Sequence, residues 1–111
     1  MIVTVFRSRL QPGVDDAYLP MADRMDELAR TMPGYIAHKG FTAADGERLT
    51  IIEFESEEAL RAWRHHPDHK AAQLKGREAF YSVYHIQVCE LLREARFEAA
   101  ASPGASGDAQ A

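Results

Sequence analysis

The sequence has little cysteine, no excess of positive charge and no long apolar run. Cys89 is the only cysteine among 111 residues, which excludes an internal disulfide and a zinc site built from several cysteines. The 13 Lys and Arg are outnumbered by 17 Asp and Glu, and this net charge of −4 disfavours binding to nucleic-acid phosphates. No segment reaches the ~20 apolar residues that cross a bilayer, and residues 1–5 lack the basic start of a secretory signal. We therefore expect a cytoplasmic protein with no nucleic-acid partner and no membrane partner.

The first half of the chain is predicted to form a strand, a helix and a hairpin. Apolar and β-branched residues predict a strand over residues 2–10, and two further strands over 35–42 and 49–54 are joined by a hairpin turn. Apolar residues at helical spacing predict a helix between the first two strands. We expect its regular part to begin near Leu19, because Pro20 interrupts the pattern.

The second half is predicted to contain a helical corner and a last strand. A helix follows the N-cap Ser56, and a short second one is expected from Pro67 to Leu74, closed by Gly76. The last strand covers residues 80–92, and strict alternation puts Tyr81 and Tyr84 on opposite faces of it.

This order predicts an α+β fold of the ferredoxin-like βαββαβ type, an antiparallel sheet with two helices on one face. Because the first strand starts apolar on both faces, we expect a second copy of the chain to cover the other face, which makes the protein a homodimer. The folded domain is expected to span residues 1–96. Residues 97–111 are predicted to form a flexible tail rich in Ala, Ser and Gly.

The segment from Trp63 to Lys70 is the richest in chemistry. It contains His65, His66 and His69, three of the five histidines, beside the only tryptophan. One interpretation makes His66 or His69 a base, a hydrogen-bond donor or a haem ligand in a pocket between helix and sheet. The alternative is a helical corner that carries half-exposed polar histidines. A zinc site is disfavoured because this spacing matches no usual ligand set.

Four stretches of the chain are typical of one known family. They are Ile2–Leu10, the turn Met32-Pro33-Gly34-Tyr35, the helix start Phe54–Trp63 and the stretch His66–Gln73. Over residues 1–94 the chain resembles the antibiotic biosynthesis monooxygenase (ABM) superfamily. The resemblance implies a homodimeric α/β barrel with one pocket per subunit, between sheet and helices.

The resemblance also implies an activity and the residues that perform it. The chain is expected to be an oxidoreductase, a cofactor-independent monooxygenase of a small aromatic phenol or quinol. His69 is the expected base and Trp63 the wall of the pocket, so these two are the predicted catalytic residues. The predicted substrate-binding residues are His66, Tyr81, Arg77 and Ser8, and an arginine among Arg7, Arg9 and Arg77 is a candidate for holding an anionic group.

Haem chemistry is disfavoured by two departures from the haem-degrading branch of the superfamily. Gln73 stands where that branch has its axial histidine, and Ser8 stands where it has an asparagine. We therefore expect no cofactor and no metal. Two alternatives remain: a non-catalytic ligand-binding or stress-response dimeric module, and an atypical haem-binding or haem-degrading protein.

Overall fold

The computed structural model describes residues 1–100 and has the predicted order of strands and helices. The elements are β1 (Ile2–Leu10), α1 (Asp15–Arg30), β2 (Tyr35–Thr42), β3 (Arg48–Phe54), α2 (Glu57–Arg64), α3 (Pro67–Lys75), a π-helical turn (Gly76–Phe80) and β4 (Tyr81–Glu90). The strands form one antiparallel sheet in the order β2-β3-β1-β4, with the helices on one face. The predicted ferredoxin-like α+β fold is confirmed.

The pairing register separates the two faces of the sheet. On the face under the helices, which we call the inner face, Thr4 lies opposite Ile52 and Ser8 lies opposite Arg48. Thr4 and Ser8 are only 7% and 4% exposed. The opposite, outer face carries the alternate residues of the central strands, Val3, Val5, Arg7, Arg9, Leu49 and Ile51. The sheet therefore has apolar groups on both faces, as the sequence predicted.

Helix α1 begins at Asp15, four residues earlier than predicted, and contains Pro20. Proline removes one backbone donor from a helix, here the partner of the Asp16 carbonyl near the exposed N-terminal end. Tyr18 compensates for this loss, because its buried ring packs edge-on against Phe80 with the ring centroids 5.6 Å apart. Tertiary packing therefore holds a turn that the local sequence disfavours.

The core lies where the end of α1 and the start of α2 meet the end of β3. Phe54 is completely buried there and is surrounded by Ala29, Leu60 and Trp63. Gly34 allows the turn after α1 to pack closely against Ala59 of α2. A Cβ at position 34 would lie 2.6 Å from the Ala59 Cβ, and the φ of Gly34 is +82°. The chain therefore needs glycine in the turn between α1 and β2.

Gly76 is the C-cap of α3, as predicted, but the chain does not leave the helical corner there. The chain continues from it as a π-helical turn to Phe80, and a Cβ on Gly76 would lie 2.6 Å from the Tyr81 ring. Glycine is present because an aromatic ring lies against this backbone.

A bulge at the start of β4 corrects the predicted alternation of that strand. Arg9 pairs with Val83, whereas Leu10 pairs with Tyr81, so β4 has one extra residue at Ser82. The extra residue turns Tyr81 to the same face as Tyr84. The expectation that these two tyrosines lie on opposite faces was wrong, because alternation holds only within an unbroken ladder.

After β4, residues 91–100 contain no helix or strand, and Leu92 and Phe97 are more than 90% exposed. The division into a domain of residues 1–96 and a tail of residues 97–111 stays a prediction, and residues 101–111 lie outside the described residues. Within residues 1–100, no helix has the length and apolar character needed to cross a membrane.

Candidate active site

A cavity of about 730 Å³ lies between the inner face of the sheet and the helices. Its volume falls in the range of about 300–1,000 Å³ that is usual for small-molecule sites. The walls are mainly apolar and aromatic, and include Phe6, Met21, Met25 and Trp63. Ile86 and Val88 of β4 also line it and are about half exposed, so the cavity is open on the side of β4.

His69 and Trp63 form one stacked unit in this cavity. Their rings are nearly parallel, 10° apart, with the centroids separated by 4.1 Å. Trp63 is 7% exposed and His69 is partly buried. The corner that begins at Pro67 folds α3 back against α2, which brings position 69 over position 63.

The hydrogen bond of His69 determines which ring nitrogen can act as a base. Its Nδ1 lies 3.2 Å from the carbonyl oxygen of Trp63, and a carbonyl can only accept, so Nδ1 donates. In the neutral ring the lone pair is then on Nε2. Burial lowers the pKa of His69, and the nearby His66 lowers it further, although the bond to Trp63 acts in the opposite direction. The ring is therefore neutral, and able to take a proton, at neutral pH.

Tyr81 and Tyr18 form the polar part of the aromatic wall. Their hydroxyl oxygens are 3.1 Å apart, and both residues line the cavity. The rings of Phe6, Tyr81 and Tyr84 pack edge-on against one another, with centroid separations of 5.6–5.9 Å. Burial, and then the hydrogen bond to Tyr18, raise the pKa of Tyr81. Tyr81 is therefore a neutral hydroxyl that can orient a ligand but does not act as a base.

The other predicted site residues lie in different places. Arg77 is exposed and lines the cavity. His66 lies outside the residues that line it, and its Nδ1 accepts from the Asp68 backbone N–H at 3.1 Å as the N-cap of α3. Ser8 is buried in the sheet and is also outside the lining. The cavity thus brings together four of the six predicted residues: His69, Trp63, Tyr81 and Arg77.

His38 of β2 also lines the cavity and is not among the predicted site residues. Its side chain is 9% exposed, with Nε2 3.4 Å from Asp26 Oδ2 and Nδ1 2.6 Å from the Tyr35 hydroxyl. Both ring nitrogens are thus engaged, and the residue ties α1 to β2 at this edge of the cavity. Its position opposite Ile52 in the hairpin register was the signal that could have indicated an inward side chain.

The residues present do not fit a haem or a zinc ion. Gln73 lines the cavity in the position where the haem-degrading branch would have a histidine, and glutamine is not among the usual axial ligands of haem iron. Within residues 1–100, no group of three or more His, Cys, Asp or Glu is arranged to hold a metal ion.

The family model described as antibiotic biosynthesis monooxygenase matches residues 1–75. The chain belongs to the antibiotic biosynthesis monooxygenase family. The matched part includes Trp63 and His69 but ends before Tyr81. The resemblance predicted from the sequence is thereby confirmed.

The similar proteins include one uncharacterized protein and two oxygenases. The uncharacterized protein YqjZ of Bacillus subtilis is 36% identical over 94 residues, which are 85% of this chain and 82% of that protein. The jasmonate monooxygenase ABM of Pyricularia oryzae is 28% identical over 98 residues, and the match covers 86% of this chain but only 46% of that protein. SnoaB of Streptomyces nogalater, a cofactor-independent oxygenase, shares the fold with a TM-score of 0.71 and 15% identity, over 84% of this chain and 94% of SnoaB.

Proposed function

We propose that this family member is a cofactor-independent monooxygenase that acts on a small aromatic phenol or quinol in the cavity between sheet and helices. The observation that carries the proposal is the His69–Trp63 unit: a neutral histidine, with its lone pair on Nε2, stacked on a buried indole at 4.1 Å in an aromatic cavity. Family membership and the two oxygenases among the similar proteins support a monooxygenase-type reaction.

The proposed reaction begins with a proton transfer to Nε2 of His69 from the substrate hydroxyl. The resulting phenolate is electron-rich enough to reduce O2 directly, and one oxygen atom forms a bond to a ring carbon. The O–O bond then breaks, the second oxygen leaves as water, and the ring becomes a quinone. A phenol with a free para C–H plus O2 gives a quinone plus H2O, so the substrate supplies all the electrons and no reductant is needed.

The surrounding residues have separate roles in this proposal. Trp63 keeps water from one face of His69 and gives the aromatic ring of the substrate a flat surface. The hydroxyl of Tyr81 orients the substrate, because its raised pKa keeps its proton in place.

The direct test is oxygen uptake by the purified protein with a set of phenols and naphthols, without added metal, flavin or nicotinamide. We expect one O2 to be consumed per quinone formed for at least one substrate, with no release of hydrogen peroxide, and we expect no change on adding a chelator. Saturable binding of these compounds without oxygen uptake would contradict the proposed monooxygenase activity. It would favour a non-catalytic binding module instead.

A haem titration in the same experiment tests the main competing chemistry. Since Gln73 lines the cavity and glutamine is not a usual ligand of haem iron, we expect no single sharp Soret species. Stoichiometric haem binding that disappears in His69→Ala would overturn the proposal and make His69 an iron ligand.

The homodimer is also part of the proposal. The outer face carries half-buried Val5 and Ile51 in the central strands, and Phe41 and Val83 in the edge strands are 46% and 53% exposed. An apolar face of this kind needs a cover, and proteins of the ABM family are typically dimeric. A second copy packed sheet against sheet would provide it.

We expect light scattering at micromolar concentration to give about twice the chain mass of 12.4 kDa. Val83→Asp should shift the protein towards the monomer, because the variant puts a charge on the outer face. Leu92→Asp is the matched control, since Leu92 lies beyond the sheet and is 92% exposed. A stable wild-type monomer at this concentration would refute the dimer.

A further inference from the structure

The charge around the cavity is opposite to the charge of the chain. The chain has a net charge of −4, yet its cavity is lined by four cationic side chains, namely Arg48, Arg64, Lys70 and Arg77. Asp26 is the one carboxylate in the lining among the described residues, and it lies 3.4 Å from His38. A positive cavity in an acidic protein raises the local concentration of anions.

Arg48 is distinguished from its neighbours by the absence of an acidic partner. Arg7 and Arg9, on the outer face, bind the two acids of the β2–β3 turn: Arg7 donates twice to Glu47 at 3.0 Å, and Arg9 donates to Asp45 at 2.8 Å. Arg48 lies on the inner face and forms no ion pair with any residue of 1–100. The fold thus sends both nearby carboxylates to the other side of the sheet.

The environment of Arg48 is partly desolvated and rich in donors. Its guanidinium lies over the ring of Tyr18, 5.4 Å from the centroid. The hydroxyls of Tyr18 and Tyr81 are 3.1 Å apart, and only one of them can donate to the other, so one hydroxyl proton is left for a ligand. A guanidinium and a hydroxyl donor together match the geometry and charge of a carboxylate. A half-buried cation with no partner is unfavourable until such an anion arrives.

We propose that Arg48, with the hydroxyls of Tyr18 and Tyr81, binds a carboxylate on the substrate, which is therefore an aromatic hydroxy acid and not a neutral phenol. The inference rests on the proposed function for the aromatic hydroxyl but adds its own subsite for the acid. Arg48 begins β3 and Phe54, which packs with Trp63, ends it. Six residues of strand separate these backbone positions by about 20 Å, so the carboxylate is held away from the end of the cavity that contains His69 and Trp63.

The test measures binding without oxygen, so that it does not depend on turnover. The probes are 6-hydroxy-2-naphthoate, which has its hydroxyl and carboxylate at opposite ends, and the neutral amide of the same acid. Quenching of Trp63, the only tryptophan, reports binding to the wild type and to four variants: Arg48→Met, Arg48→Lys, Arg77→Met and Arg93→Met. Arg93→Met changes the net charge by the same amount at an exposed residue outside the cavity.

We expect the wild type and Arg93→Met to bind the acid about 10- to 100-fold more tightly than the amide, the range of a charge-assisted hydrogen bond. Arg48→Met should lose this preference and keep its affinity for the amide within about threefold, which also shows that it is folded. Arg48→Lys should retain part of the preference, because lysine keeps the charge but not the forked donor pair.

Equal affinities of the wild type for acid and amide would overturn the subsite, as would an undiminished preference in Arg48→Met. Loss of the preference in Arg77→Met but not in Arg48→Met would assign the anion to Arg77 and refute the inference as well. Tight, Arg48-dependent binding of the acid would leave the subsite standing even if none of the phenols and naphthols with a free para C–H were oxygenated, and that outcome would refute only the monooxygenase.

Discussion

His69→Ala is expected to reduce the rate of quinol or phenol oxygenation by about 10²- to 10⁴-fold, the usual contribution of a general base. The variant loses the Nε2 lone pair, whereas the fold loses only a partly buried ring and one bond to the Trp63 carbonyl. The measurement is kcat from oxygen uptake, with circular dichroism to show that the variant is folded. An unchanged rate would assign the proton transfer to another group and favour the non-catalytic interpretation of the histidines.

His69→Gln and His85→Ala are the controls for this result. Glutamine can still donate to the Trp63 carbonyl but cannot take a proton at neutral pH, so His69→Gln should be as slow as His69→Ala. His85 lies on the outer face of β4, opposite Arg7, and its removal should leave the rate unchanged. A slow His85→Ala would mean that the loss comes from a change in folding or assembly.

The pH profile provides a second readout for the same residue. Because burial lowers the pKa of His69, protonation should remove the base only below the ordinary histidine value of about 6.5. The acidic limb of kcat/KM should therefore lie below pH 6.5 and disappear from the residual rate of His69→Gln. An acidic limb above that value would indicate a different base.

The general arrangement of this site could be predicted because it depends on local spacing. Trp63 and His69 belong to two short helices joined at Pro67, and Ser56 and Pro67 mark where those helices begin. Helical spacing and the capping residues are sufficient to predict that corner. The stacking of the two rings could not be predicted in this way, because it depends on how α3 folds back against α2.

The positions of Tyr81 and Arg48 in the cavity could not be predicted from the local sequence. Tyr81 enters the cavity only because an extra residue in β4 and a glycine at position 76 allow it, and neither leaves a periodic signal. In the sequence Arg48 directly follows Glu47, whereas Arg7 and Arg9 lie 40 and 36 residues from the acids that they bind. The face of the sheet decides which arginines reach those acids, and that depends on the register of β1 with β3.

Trp63→Ala is expected to lower the free energy of unfolding by about 3–5 kcal/mol, the usual cost of removing a large buried aromatic side chain. The indole is 7% exposed and packs in the cluster of Ala29, Phe54 and Leu60. Urea denaturation measures the loss, and the melting temperature should fall by about 12 °C or more for a domain of this size. A loss below about 1 kcal/mol would mean that the indole is not a part of the core.

Trp63→Phe separates the packing role of this residue from its role in the site. Phenylalanine keeps an aromatic face for His69 and most of the buried area, so this variant should lose clearly less stability than Trp63→Ala. Activity should fall in both variants, because His69 is oriented by its stacking on the indole at 4.1 Å and by the bond to the carbonyl of the same residue. A double variant with His69→Ala distinguishes a shared role from two independent ones. If the two rings act as a unit, removing His69 from Trp63→Ala should slow oxygenation much less than removing it from the wild type, because the first substitution has already displaced the base.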